Sequence, residues 1–283
     1  MSRIAYVNGQ YVPHLDAAVH IEDRGYQFAD GVYEVIPIVD NKLIGEEGHL
    51  DRLWRSLDEL QIQEPMKRGP MKLVMREVLR QNGIQTGLIY MQSTRGVAKR
   101  DHPFPKDAVP EFVMTAKRMS LDKLDAKAEK GVAVITVPDI RWTRRDIKSV
   151  SLLPNVLAKQ KAVENGAYEA FQVDEDGFVT EGSSTNAWIV DKEGTLITRP
   201  TSNSILAGIT RADLLKLLAQ SDYKVELRAF TVDELLNARE VFLTSSSSYV
   251  QPVVEVDGKV IGNGKPGSIS NGLRTIFKDF MNN

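Results

Sequence analysis

The chain has 283 residues, 36 basic and 38 acidic side chains, a formal net charge of −2 and no cysteine. This balance gives no general attraction to nucleic acid or to an anionic membrane, and the lack of cysteine excludes disulfides, thiolate metal sites and a cysteine nucleophile. No apolar run approaches the roughly 18 residues that a membrane span requires, so we expect a soluble cytoplasmic protein with small-molecule partners.

The first 120 residues predict a small α/β domain. Asn8 and Gly9 form a dipeptide typical of a tight hairpin turn, and Pro37 favours an edge or irregular strand position. Apolar residues then recur at helical spacing in two segments, the second of which ends at Gly83. The predicted strands of this domain lie within residues 4–12, 32–45, 88–96 and 111–119.

Residues 121–283 predict a larger, mixed α/β domain. It follows a charged segment at 120–131 that has no strong apolar stripe and that we interpret as a linker. A β-branched run at 131–137 opens the domain, and strand and hairpin signals outnumber crossover helices. This favours a mixed (α+β) sheet over a doubly wound parallel one. The predicted helices lie near residues 155–165, 211–220 and 268–281.

Several enzyme classes lack their motifs in this chain. The four histidines, at positions 14, 20, 49 and 102, form no HExxH pattern, so no metal site is predicted. No GxGxxG, GxxxxGK[ST] or GxSxG motif is present, which argues against nicotinamide, nucleotide and α/β-hydrolase sites. The serine run at 244–248 has no histidine placed by a motif, and we interpret it as a hydroxyl-rich loop.

Several backbone amides and polar side chains are candidates for a site that binds an anion. Gly208, Ile209 and Thr210 begin a predicted helix, whose free amides and dipole suit a phosphate group. Arg52 can add a guanidinium fork, and the serine run can add hydroxyls and amides. Taken alone, each has an ordinary interpretation: a capped helix, a surface arginine and a polar turn. Lys148 alone is most simply a solvated lysine.

Six motifs in order change this interpretation. The chain resembles the class IV (fold type IV) pyridoxal-phosphate-dependent aminotransferases, and the match covers residues 22 to about 256. The resemblance implies a two-domain α/β fold with the pyridoxal 5'-phosphate site between the domains. The motifs are EDRGYQFADGVYEV (22–35), HLDRL (49–53), DIKSVSLLPNVLAKQ (146–160), EGSSTN (181–186), LAGITR (206–211) and FLTSSSS (242–248).

The resemblance also implies roles for individual residues. Lys148 is the lysine that carries the cofactor covalently and moves the substrate proton, and Glu181 pairs with the pyridine nitrogen. A partly dry, cation-rich site near Arg141, Arg144 and Arg145 would favour the unprotonated lysine. Further positions match the active-site tyrosine, the residue packed on the ring face and the phosphate-binding residues: Tyr33, Leu206, Arg52, Ile209, Thr210 and Ser246.

The resemblance also makes Arg100 and His102, two residues apart in one predicted loop, the candidates for substrate choice. This R-x-H pattern resembles the carboxylate trap that D-amino acid transaminases insert into the neighbouring subunit, so a homodimer is implied. The implied reaction moves the amino group of D-alanine, or of a similar D-amino acid, to 2-oxoglutarate by a ping-pong cycle. Alternate residues of an extended loop should point the same way. Without the resemblance, these residues are part of a charged, solvated loop.

Other members of the family share the cofactor motifs. A branched-chain L-amino acid aminotransferase, an R-amine transaminase and, in another reaction class, an aminodeoxychorismate lyase remain alternatives. A catalytically silent binding protein is a further alternative, which the presence of both Lys148 and Glu181 disfavours.

The sequence also departs from the family pattern at three positions. Ala29 stands where glycine is common, and we expect it to need a conventional backbone or a roomier site. Ser151 and Pro154 replace asparagine and glycine beyond the lysine.

Overall fold

The computed structural model describes residues 3–282, which fall into two units. The first unit takes the chain up to Ser120 together with Ile147–Ser151, and the second takes Leu121–Asp146 together with the chain from Leu152 onward. The sequence predicts one division, after residue 120, whereas the structure also returns a five-residue segment to the first unit. Both units combine helices with a β-sheet, so the predicted mixed α/β class is confirmed.

The first unit is built on an antiparallel sheet. Its strands are β1 (Ile4–Val7), β2 (Gln10–Pro13), β3 (Gly31–Val39), β4 (Lys42–Leu43), β5 (Gly87–Thr94) and β6 (Glu111–Arg118), in the order β2-β1-β6-β5-β3-β4. The predicted first hairpin is confirmed, because Asn8 and Gly9 turn the chain with φ angles of 46° and 93°. Pro37 lies in β3 beside the short edge strand β4, which pairs only with Ile38 and Val39.

Helices α2 (Glu46–Glu59) and α3 (Arg68–Asn82) pack on this sheet and complete the first core. The short helix α1 (Arg24–Phe28) precedes β3. Helix α2 packs on β3 and buries Leu50, Leu53 and Leu57 at helical spacing. Each such leucine contributes about 1.5–3 kcal/mol, which fixes α2 firmly against β3. Gly83 caps α3 with a φ of 58°, as the sequence predicts.

The segment Ile147–Ser151 pairs with the beginning of β3. The Tyr33 amide donates to the Lys148 carbonyl at 3.0 Å, and the Val150 amide donates to the Gly31 carbonyl at 3.0 Å. A β-bridge joins Val32 to Ser149, and Ile147 is buried in the core of the first unit. These bonds hold Lys148 against the strand that carries Tyr33.

In the described part of the chain, the second unit is built on a sheet of nine strands that mixes parallel and antiparallel pairs. They are β7 (Val132–Pro138), β8 (Glu169–Val173), β9 (Val179–Gly182), β10 (Asn186–Val190), β11 (Leu196–Thr198), β12 (Val225–Leu227), β13 (Glu240–Ser245), β14 (Tyr249–Val256) and β15 (Lys259–Val260). The order is β12-β11-β10-β13-β14-β7-β8-β9, and β15 pairs with β14. The pairs of β7 with β8, β14 with β7 and β11 with β12 are parallel. The predicted mixed sheet is confirmed.

Between residues 3 and 282, the second unit has the helices α4 (Leu121–Lys130), α5 (Leu153–Glu164), α6 (Ile209–Leu218), α7 (Val232–Asn237) and α8 (Ser268–Asn282). The predicted linker at 120–131 is wrong, because these residues form α4. Its residues are good helix formers, and Asp122 and Lys130 at its two ends complement the helix dipole. Only Ala128 of α4 is buried, which explains the weak apolar stripe.

Within residues 3–282, no helix is long and apolar enough to cross a membrane. Over the same residues, no group of three or more histidine or acidic side chains is arranged to hold a metal ion.

Candidate active site

Lys148 lies over the ring of Tyr33 in the first unit. Its Nζ is 4.2 Å from the ring centroid, a distance at which a cation is attracted to an aromatic face. The Lys148 amide donates to Ser56 Oγ at 3.3 Å, so α2 also holds the lysine. Tyr33 stacks on Tyr90 with ring centroids 5.8 Å apart, and burial raises the pKa of Tyr90 to about 12. The structure thus brings together two of the predicted catalytic residues, Lys148 and Tyr33.

Arg52 belongs to a buried group that we call the Arg52 cluster: Arg52, Glu34 and His49. Arg52 donates from Nε and Nη2 to the two oxygens of Glu34 at 2.7 and 2.8 Å. His49 Nδ1 lies 2.7 Å from Glu34 Oε2. Burial alone would raise the pKa of Glu34, but Arg52 and His49 outweigh it and lower this pKa to about 2. Burial lowers the pKa of His49, which favours a neutral ring that donates to the carboxylate.

Arg100 and His102 share a neighbour. The Arg100 guanidinium carbon is 5.0 Å from the Phe28 ring centroid, and the His102 ring centroid is 5.7 Å from the same ring. Arg24 fixes this loop by donating to the carbonyls of Asp101 and His102 at 2.6 and 3.2 Å. Both side chains are exposed, and their contact with one ring agrees with the expected common direction. Their role as a carboxylate trap stays a prediction.

Ala29 differs from the expectation of a conventional backbone. It ends α1 with φ 56° and ψ 28°, which is the left-handed region that glycine adopts most easily. Its amide donates to the Gly25 carbonyl at 3.1 Å, a contact that terminates the helix. The alanine therefore keeps the glycine-like turn, at a local cost of about 1 kcal/mol. Strand β3 begins two residues later, at Gly31.

Pro154 occupies the first turn of α5, where a missing N–H leaves no helix bond unmade. The other departure beyond the lysine, Ser151, is exposed.

Glu181 is the centre of a second buried group, in the second unit, that we call the Glu181 cluster: Glu181, Arg141, Asp139 and Asn186. Glu181 Oε1 accepts from Arg141 Nη1, and Oε2 accepts from Asn186 Nδ2 at 3.0 Å and from the Leu206 amide at 3.1 Å. Burial raises the pKa of Glu181, because Arg141 offsets only part of the desolvation and Asp139 adds a like charge.

The three arginines before Lys148 are paired with acids of the second unit, and the expected cation-rich surroundings of Lys148 stay a prediction. Arg141 donates from Nε and Nη2 to the two oxygens of Asp139 at 2.9 and 2.7 Å. Arg145 lies 3.3 Å from the same carboxylate, and Arg144 pairs with Asp146 at 3.0 Å. Their charges are compensated within the second unit, since each guanidinium lies beside a carboxylate.

The beginning of α6 has open backbone amides. Gly208 is the residue before the helix, and no side chain caps it, so Ile209 and Thr210 present the first amides of the helix. A Cβ on Gly208 would lie 2.0 Å from Asn186 Oδ1, so only glycine fits this close approach. Ser246 lies half-buried in the turn between β13 and β14. β-Sheet register places Asn186 opposite Thr244, near that turn.

Four residues of these clusters received no role from the sequence: Glu34, His49, Asp139 and Asn186. Strand alternation puts Glu34 on the face opposite Tyr33, and His49 and Arg52 are three residues apart on α2. This spacing could have indicated the Arg52 cluster. The Glu181 cluster joins residues about 40 positions apart, which no local pattern reveals.

Comparison with known proteins identifies the family. Residues 31–256 match the family model described as amino-transferase class IV, which covers most of the chain. The chain therefore belongs to the class IV aminotransferases, a family of pyridoxal-phosphate enzymes. A D-alanine aminotransferase of Bacillus licheniformis is 41% identical over 272 residues, which are 96% of this chain and 95% of that protein. One of Staphylococcus haemolyticus is 41% identical over 276 residues, which are 98% and 97% of the two chains.

Solved structures show the same fold at lower identity. The branched-chain aminotransferase from the thermophilic archaeon Thermoproteus uzoniensis, solved with norvaline, is 22% identical, with a TM-score of 0.89 over 100% of this chain and 96% of that one. The branched-chain amino acid aminotransferase from Escherichia coli is 22% identical, with a TM-score of 0.89 over 99% and 95%. The fold type IV prediction is thereby confirmed.

Each unit, taken by itself, contains groups that match parts of pyridoxal phosphate. An aldehyde needs an amine, which Lys148 provides, and a protonated ring nitrogen needs a buried carboxylate such as Glu181. A phosphate dianion needs amides and a guanidinium, which the beginning of α6 and Arg52 can supply. The close approach of Gly208 to Asn186 supports this fit, because it leaves the first amides of α6 without a side-chain cap.

Proposed function

We propose that this chain is a D-amino acid transaminase that moves the amino group of D-alanine, or of a similar D-amino acid, to 2-oxoglutarate. The observation that carries the proposal is the 41% identity to D-alanine aminotransferases over nearly the whole chain. When bound, pyridoxal phosphate supplies an aldehyde that takes the amino group and a ring that accepts the electrons released at the substrate Cα.

Lys148 is proposed to bind the cofactor covalently and then to move the proton at the substrate Cα. Its place over Tyr33 supports this role, because the ring face and the hydrogen bond to Ser56 fix the lysine on both sides. A general acid–base group needs a fixed position more than it needs an extreme pKa. Tyr33 is proposed to orient the amine during both half-reactions.

Glu181 is proposed to hold a proton on the pyridine nitrogen. Its burial and its contacts to Arg141 and the Leu206 amide support a carboxylate with one orientation. Leu206 is proposed to pack on the ring face. Arg52, Ile209, Thr210 and Ser246 are proposed to bind the phosphate, since a dianion is matched by helix amides, a hydroxyl and a guanidinium.

Arg100 and His102 are proposed to bind the substrate carboxylate in the neighbouring subunit of a homodimer. Their exposure and their common contact with Phe28 support a loop that presents both side chains outward. A guanidinium binds a carboxylate through two parallel hydrogen bonds, and the histidine supplies a further donor.

The test is the absorbance of the cofactor-loaded protein after separate additions of D-alanine, L-leucine and an R-amine, without an acceptor. Conversion of the aldehyde form of the cofactor to its amine form by D-alanine alone is the expected result. Conversion by L-leucine alone would replace the proposal with a branched-chain aminotransferase, the class of the solved structures above. Conversion by the R-amine alone would indicate an R-amine transaminase, and release of pyruvate from aminodeoxychorismate would indicate the lyase.

A second experiment tests the carboxylate trap. Arg100→Ala should raise the KM for D-alanine about 100-fold or more, because a bidentate charge-assisted contact is lost. Lys99→Ala, a loss of charge at the neighbouring exposed residue, is the matched control and should change the KM less than about threefold. Equal effects of the two substitutions would contradict the trap and leave the family assignment intact.

A further inference from the structure

Two buried ionisable residues, Glu34 and His49, have no role in the proposed function. Glu34 is fully buried and His49 is 1% exposed. Replacing a buried ion pair by apolar residues is often neutral or stabilising, so such a group is poorly explained by stability alone. The position of the group relative to Arg52 and Lys148 offers another explanation.

One face of α2 carries Arg52, a predicted cofactor-binding residue, and contacts the other one of the first unit, Lys148. His49, Arg52 and Ser56 follow each other at intervals of three and four residues, which places them on one side of the helix. Ser56 holds the Lys148 amide, and Arg52 bonds to Glu34 of β3. Glu34 is the neighbour of Tyr33, whose ring lies under Lys148. The direction of Arg52 is therefore set by the same helix and strand that set Lys148.

The contact between Arg52 and Glu34 fixes the plane of the guanidinium. Two parallel N–H···O bonds of 2.7 and 2.8 Å allow neither rotation nor tilt without breaking one of them. His49 in turn fixes Glu34, because its Nδ1 lies 2.7 Å from Oε2. The 3.4 Å separation of Arg52 Nη2 from His49 Nδ1 is much longer, so the histidine acts on the carboxylate.

We propose that Glu34 and His49 are positioning residues, which hold the Arg52 guanidinium in the one orientation that binds the cofactor phosphate. The inference rests on the proposed function, because it requires Arg52 to bind that phosphate. Neither residue touches the cofactor in this scheme. Their effect is confined to its phosphate group.

The test compares two ligands of the full-length protein: pyridoxal phosphate and pyridoxal, which lacks the phosphate. Dissociation constants are measured by equilibrium dialysis after cofactor removal. The dissociation constant of pyridoxal divided by that of pyridoxal phosphate is the ratio that isolates the contribution of the phosphate. Glu34→Asp keeps the charge but shortens the side chain by one methylene, so the carboxylate cannot reach both nitrogens of Arg52. We expect this variant to weaken pyridoxal phosphate binding about tenfold and pyridoxal binding less than about threefold.

Three further variants separate positioning from damage to the fold. Glu240→Asp makes the same change at another buried carboxylate, which caps α8 through the amides of Ile269 and Ser270, and should leave the ratio unchanged. His49→Asn keeps a donor near the position of Nδ1 and should retain the wild-type ratio, whereas His49→Leu should lower it about threefold.

The outcomes also separate this inference from the proposed function. Equal losses of both ligands in Glu34→Asp would overturn the inference, since a general disturbance does not discriminate between them. The same holds if Arg52→Lys leaves the ratio at its wild-type value, because Arg52 would then not bind the phosphate. Failure of D-alanine to convert the wild-type cofactor would instead contradict the choice of substrate, while a ratio that falls in Glu34→Asp still supports the positioning role.

Discussion

Each unit of the molecule buries an arginine–carboxylate group, and the two groups behave in opposite ways. In the Arg52 cluster, one carboxylate receives both a guanidinium fork and a histidine, and the pKa of Glu34 falls to about 2. In the Glu181 cluster, Arg141 donates from Nε and Nη2 to Asp139 and from Nη1 alone to Glu181. Burial then dominates, and the pKa of Glu181 is raised.

The difference shows that the type of partner does not decide the charge state of a buried acid. Desolvation is the largest cause in both clusters, and it raises the pKa of both carboxylates. What differs is how many cationic hydrogen bonds each carboxylate receives and whether a second acid competes for them. A permanently ionised Glu34 suits a fixed support for Arg52. The raised pKa makes Glu181 a stronger base, which suits a group proposed to hold a proton on a ring nitrogen.

The largest expected effect follows from removing the charge at Glu181. Glu181→Gln should lower kcat by about 100-fold, because the neutral amide cannot stabilise a protonated ring nitrogen, while the dissociation constant of pyridoxal phosphate changes less than about threefold. Steady-state kinetics with D-alanine and dialysis of the cofactor measure the two quantities. A loss confined to cofactor affinity would assign Glu181 to binding alone. Glu240→Gln, at a buried carboxylate that caps α8, serves as the control.

The second prediction concerns how the free energy of unfolding depends on pH, because the pKa of Glu34 is lowered and that of Glu181 is raised. Since the pKa of Glu34 falls from 4.5 to about 2 on folding, its ionised form stabilises the native state above pH 4.5, and this contribution disappears as the pH falls toward 2. Glu34→Gln should therefore cost about 3 kcal/mol of unfolding free energy at pH 7, and less at pH 4. Urea unfolding of the cofactor-free chain between pH 3 and pH 8 measures this difference.

Glu181→Gln should show the reverse trend in the same urea experiment. Because the folded-state pKa of Glu181 is raised, its contribution to stability is present below pH 4.5 and is lost as the pH rises through the folded-state pKa. The wild type should thus lose stability relative to Glu181→Gln as the pH increases. Parallel trends for the two variants would contradict the distinction between the clusters.

The smallest expected effect concerns Arg141, whose hydrogen bonds are divided between Asp139 and Glu181. Asp139→Asn removes both the competitor for the guanidinium and the like charge beside Glu181, so the pKa of Glu181 should fall toward its ordinary value. Carbon-13 NMR of glutamate-labelled protein measures this titration, and Glu181→Gln identifies the resonance. An unchanged titration would show that burial alone sets the pKa of Glu181.

Much of the fold was predictable because its signals are local. The turn at Asn8–Gly9, the end of α3 at Gly83 and the strand alternation each depend on a few neighbouring residues. The pairing of Ile147–Ser151 with β3 depends on backbone bonds between segments more than 100 residues apart, which leave no mark on either sequence. Helix α4 was missed for another reason: it buries so little that its apolar stripe is weak.

For the candidate site too, the sequence indicates some residues through local motifs but does not reveal their contacts. Motif order indicated Lys148, Glu181 and Arg52, and the structure adds what surrounds them. No pattern in the sequence predicts that Arg141 donates two hydrogen bonds to Asp139 and one to Glu181, because that division depends on side-chain geometry. The φ of 56° at Ala29 was also not predictable, because the cost of the left-handed region is offset by helix termination.

The central claim is that the cofactor is bound at Lys148, and reductive trapping tests it most directly. The cofactor-loaded protein is treated with borohydride, which makes the bond between the lysine and the cofactor permanent, and is then digested and mapped by mass spectrometry. We expect the cofactor-derived mass on the peptide that contains Lys148, and its loss in Lys148→Ala. The same mass on a peptide with any other lysine, with Lys148 unmodified, would contradict the account.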